Sequence, residues 1–71
     1  MAYVLIGLVR KPEGSDYPPE IVLRTSTGNP RFLEIWWDDF MPEEGDCKLY
    51  EKDGIIYQLE GYRIEEVSSI Y

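Results

Sequence analysis

The chain alternates short apolar runs with turn-forming punctuation. Glycine, proline and small polar residues cluster at 11–19 (KPEGSDYPP), 26–30 (STGNP), 41–46 (MPEEGD) and 52–54 (KDG), with Gly61 beyond, and the segments between them have the length of strands. Residues 3–10 form a continuous aliphatic and β-branched run, the pattern of a strand covered on both faces. Residues 20–25 follow, and STGNP leads into residues 31–37. Residues 48–51 and 55–60 flank Asp53 and Gly54, a hairpin signal because this dipeptide accepts the positive φ values of a tight turn. The tail has two readings: Ile64, Val67 and Tyr71 stand at helical spacing, whereas residues 62–67 would equally serve as a closing strand.

The middle segment also supports two periods. Asn29 suits an N-cap and Pro30 a first helical position, and Leu33, Trp36, Trp37 and Phe40 follow at helical spacing until Pro42. A helix would, however, place Asp38 and Asp39 at its negative C-terminal end, unfavourable by about 0.3–1 kcal/mol per charge. Isoleucine and paired tryptophans also suit a pleated surface, and the strand is the preferred expectation. Alternation then puts Leu33, Ile35 and Trp37 on a core face and Phe32, Glu34, Trp36 and Asp38 on the other. By the same rule Ile55, Tyr57 and Leu59 point inward, and Ile56, Gln58 and Glu60 outward.

These pieces predict one all-β domain over residues 1–71, or β with one short C-terminal helix. The expected architecture is a small antiparallel sheet of about five strands, either curled into a partly open SH3-like or OB-like barrel or left as an open meander. Seventy-one residues bury only about 60% of the unfolded chain's surface, so the core must lean on large side chains. Two Trp, six Tyr and two Phe supply them.

Charge changes the picture more than composition does. Residues 1–33 carry four bases and three acids, a net of +1, and residues 34–71 carry three bases and eleven acids, a net of −8. The total of −7 speaks against direct contact with nucleic acid, which requires cations to displace counterions from phosphate. It speaks equally against an anionic membrane surface. The apolar run at 3–9 is too short to cross a bilayer and lacks the flanks of a signal peptide. A single cysteine, Cys47, cannot form an internal disulfide and points to a reducing, cytoplasmic setting, in a cell or in a host cell.

Candidate chemistry is sparse. The absence of histidine leaves Cys47 without its usual activating base, and it reads as a small buried hydrophobe. The acid pairs Asp38 with Asp39 and Glu43 with Glu44 could share acid and base work only if their surroundings separated their pKa values, which a loop marked by Pro42 and Gly45 does not favour. DDFMPEEGD lacks the alternating acids, central glycine and terminal glutamate of an EF-hand loop, and no phosphate-cradling glycine motif occurs. The expectation is a non-enzymatic protein with no cofactor and no dedicated metal site.

What the pattern favours is recognition of another protein. An exposed aromatic is a frequent hot spot, and a field of one sign speeds encounter and rejects wrong partners. The candidate surface comprises Phe32, Glu34, Trp36, Asp38, Asp39, Glu43, Glu44 and Asp46, facing a basic surface on the partner. One form of this is nucleic-acid mimicry, in which carboxylates occupy the cationic groove of a nucleic-acid-binding protein. In size and charge the chain resembles virus-encoded inhibitors of host enzymes. The alternative is a small assembly protein, burying the same rings between copies or forming a homodimer through a sheet edge, with the acids serving solubility.

Overall fold

The computed structural model of the chain describes residues 1–68. In chain order the elements are β1 (Ala2–Val9), β2 (Glu20–Ser26), α1 (Arg31–Phe40), β3 (Glu43–Glu44), β4 (Cys47–Lys52) and β5 (Ile55–Val67). The five strands form one antiparallel sheet in the order β2-β1-β5-β4-β3. Among the described residues the sheet is open rather than closed into a barrel, and the single helix lies mid-chain rather than in the C-terminal tail, which is strand through Val67. The mostly β fold matches expectation.

The β4–β5 hairpin forms where the sequence places it. Asp53 and Gly54 both take positive φ, 54° and 80°, as its two-residue turn requires. Tyr57 and Leu59 are buried while Ile56, Gln58 and Glu60 are exposed, as alternation predicts; Ile55, expected inside, is exposed at the turn end of the strand. The tail resolves as strand through Val67, because β5 continues past a bulge at Glu60 and pairs along the whole of β1 from Leu59 to Val67. Tyr71, the last residue of the helical alternative, lies outside the described residues.

Residues 31–37 are the main correction: they belong to a helix. Pro30 already has helical dihedrals (φ −63°, ψ −18°), and the Arg31 N–H donates to Asn29 Oδ1 at 2.9 Å, so Asn29 satisfies a donor that the first turn cannot. The charge cost at the other end is offset from outside the segment. Lys48, largely buried on β4, brings Nζ to 3.5 Å from the Asp38 carbonyl and 3.6 Å from Glu43, placing a cation where the helix is negative. Leu33, Trp37 and Met41, spaced four apart, are buried against Leu5, Val9, Ile21, Tyr57 and Leu59. Ile35, assigned to the core by strand alternation, is instead 43% exposed.

The helix covers one face of the sheet. Gly7 sits on that face, where an added Cβ would come within 2.9 Å of Leu59 and 3.1 Å of Leu23. Among the described residues the other face carries no helix, yet Ile6 on it is only 7% exposed. Ile6 stands opposite Arg63 on β5 and Val22 on β2, and the Arg63 guanidinium reaches across β1 to grip the Glu20 carboxylate in two-pronged fashion. Arg63 Nε also donates to Glu65 at 3.0 Å. The clasp, with its aliphatic stem, shields Ile6 from water.

Candidate functional site

Helical geometry sorts the acidic and aromatic cluster into separate surfaces. Phe32, Ile35, Trp36 and Phe40 follow one another at i, i+3, i+4 and i+8 along one flank of α1, the spacing of a continuous stripe. Phe32 is 67% and Phe40 70% exposed, while Trp36 is half-buried against the core with the Arg24 guanidinium 5.4 Å from its ring centroid, within cation–π range. Together with Arg24, Thr25 and Ser26 of β2 these side chains line an open groove of about 320 Å³. Asp39, four residues beyond Ile35, stands on the same flank and is exposed.

Glu34 and Asp38 occupy the opposite flank. Trp37 turns down beside them, its ring centroid 5.0 Å from that of Tyr62. Burial, together with the Glu34 and Asp38 carboxylates, pushes the Tyr62 hydroxyl above its ordinary pKa, since each of these disfavours a phenolate. The remaining acids lie past the helix. Glu43 and Glu44 are exposed on β3; Glu43 meets Lys48, and Asp46 accepts from Arg10 Nη2 at 3.3 Å. Arg10 also reaches Glu60 at 3.4 Å. The Arg10 contact holds the Asp46 carboxyl below the usual carboxylate range. Glu34, Asp38, Asp39 and Glu44 have no ion-pair partner among the described residues.

The eight residues singled out in the sequence therefore do not share one face. Phe32, Trp36 and Asp39 lie together, Glu34 and Asp38 lie around the helix from them, and Glu43, Glu44 and Asp46 extend the negative surface along β3 and its turn. The exposed rings are Phe32 and Phe40, with Trp36 half covered. Phe40, Ile35 and Arg24 belong to the surface but escape strand alternation. The signal that finds the first two is helical spacing counted from Phe32.

Cys47 is buried and unpaired. Its thiol donates to Asp46 Oδ1 at 3.5 Å, and burial, reinforced by that acceptor and opposed by Arg10, raises its pKa, the wrong direction for a nucleophilic thiolate. Among the described residues no three of the Asp, Glu and Cys side chains converge into a set able to hold a metal ion, and no helix is long and apolar enough to cross a membrane. Compared with family models, curated proteins and solved structures, the chain finds no match in any of the three.

Proposed function

We propose that the protein is a non-enzymatic binding domain that lays α1 against a partner protein presenting an apolar notch rimmed by lysine and arginine. The observation that carries this reading is the pair of exposed rings, Phe32 and Phe40, on a helix whose carboxylates Glu34, Asp38 and Asp39 have no ion-pair partner among the described residues. Large exposed rings on one helix face are the anchors of helix-in-groove recognition, and unpaired like charges on the same helix, Asp39 beside the rings and Glu34 and Asp38 on the far flank, select a cationic rim. A groove that otherwise holds nucleic acid is one surface of this kind, so inhibition by occupying such a groove, as virus-encoded proteins do, falls within the proposal. The free Cys47 agrees with a reducing, cytoplasmic encounter.

The test is capture from a native or host lysate at low salt, repeated with variants. Phe32→Ala and Phe40→Ala should each weaken capture of the partner by about thirtyfold in Kd, the equivalent of roughly 2 kcal/mol for a hot spot. Asp38→Asn with Asp39→Asn should slow association and flatten its salt dependence. Added nucleic acid competes if the partner's groove is a nucleic-acid site. A partner retained by both ring variants, or bound as tightly at high salt, overturns the proposal.

A further inference from the structure

The sheet is built with a step in it. On one side β5 pairs with β1 from Val9 opposite Leu59 to Ala2 opposite Val67, whereas on the other side its pairing with β4 stops at Lys48 opposite Leu59. Residues 61–67 of β5 therefore have a ladder on one edge and no strand on the other among the described residues. Exposed edges invite pairing with another chain unless something blunts them. The outer edge of β2 is blunted by the bulge opposite Leu5 and Ile6 and by Pro18 and Pro19 just before it, and β3 is two residues long. The free stretch of β5 contains no proline, and the irregularity at Glu60 lies before it.

We propose that this edge pairs with the same edge of a second copy, antiparallel and two-fold symmetric, in the register centred on Ile64. A two-fold axis normal to the sheet keeps each face continuous, so residues opposite one another must belong to the same face. Centring on Ile64 sets Ile64 against its own counterpart, Arg63 against Glu65 of the second copy, Tyr62 against its Glu66, and Gly61 against its Val67. Shifting the centre by one residue sets Arg63 against Arg63, or Glu65 against Glu65, and like charges directly opposite are destabilising. Among these three registers, only the one centred on Ile64 is charge-complementary. The sequence of the edge thus reads as its own partner. This surface is separate from the ring-bearing flank of α1, with Glu34 and Asp38 lying between the two, and the edge pairing does not depend on the rings.

Electrostatics give the two proposals opposite salt responses. Each copy carries −7, and the second helix lies on the same face of the sheet across the seam, with Asp38 of each copy lining the cleft beside Gly61 and Tyr62 and Glu34 within electrostatic reach of Tyr62. Screening this repulsion strengthens self-association, whereas it weakens capture of a basic partner.

Sedimentation of the full chain from micromolar to millimolar concentration should show a monomer giving way to a dimer, with the transition at lower protein concentration in high salt. Hydrogen exchange should slow within residues 61–67 as the dimer forms and stay unchanged along β2. Arg63→Glu and Glu65→Arg chains should each remain monomeric, because like charges then meet across the seam, while an equimolar mixture of the two recovers the dimer. Should Arg63→Glu fail to fold after losing its grip on Glu20, the Glu65→Arg chain and the exchange pattern of the unaltered protein still decide the matter. A monomer at millimolar concentration in high salt overturns the proposal, as does protection on β2 or a dimer that Glu65→Arg leaves intact.

Discussion

Trp36 and Trp37 are adjacent in the chain and meet different fates. Trp37 is buried against Tyr62 and the sheet, and Trp36 lies half-covered beneath Arg24. A helix turns each successive side chain by about 100°, so neighbours diverge without becoming opposites, and Trp36 keeps part of its surface in the core. Sequence alternation had made it the exposed ring; Phe32 and Phe40 hold that position instead. Packing at Gly7 is equally particular. Although alanine is no worse than glycine in a strand, a Cβ there would press on Leu59 and Leu23 in the core. Gly7→Ala is expected to cost about 1–3 kcal/mol through overpacking, read from urea unfolding midpoints; an unchanged or raised midpoint would show that the leucines yield freely.

At the scale of elements, α1 depends on contacts at both its ends. Asn29 accepts the Arg31 N–H, and Lys48 supplies the cation that the C-terminal turn lacks within the helix itself. Asn29→Ala should lower stability by about 0.5–2 kcal/mol, with Asn29→Ser largely retaining it. Equal losses from both substitutions would remove the capping role. The hairpin needed no such support: Asp53 and Gly54 declare their turn locally, and the alternation of β5 was legible beside it. The length of β5 was less so, because Gly61 resembles a stop but instead follows a bulge within a continuing strand.

For the whole molecule, pH acts on stability from two sides. Arg63 holds the Glu20 carboxyl below its ordinary pKa, and Arg10 does the same for Asp46. A depressed carboxyl stabilises the fold above its unfolded pKa, and that contribution is lost as pH falls through the lower folded value. Tyr62 is raised, so its unfolded form gives up a proton first, and stability declines as pH climbs from about 10 upward. Unfolding midpoints across pH should therefore form a dome. Glu20→Gln should make the acid arm shallower and Tyr62→Phe the alkaline arm; arms of unchanged slope in both variants would show that neither group is linked to folding.

The sequence alone determined features carried by neighbours in the chain: the strand runs, the Asp53 and Gly54 turn, the division of charge between the halves, and the burial of Leu33 and Trp37. It could not choose between helix and strand for residues 31–40, and the reason is geometric. Positions four apart share a face in both conformations, so Leu33, Trp37 and Met41 satisfy either period; Ile35, inward only in a strand, and Trp36, turned partly inward only in a helix, distinguish them. Which of those two packs against the core depends on groups remote in sequence, including Lys48 at the helix end and the sheet face beneath. The free edge of β5 was likewise invisible beforehand, because it exists only where β4 ends and β1 continues, a difference in length between two partners of the same strand.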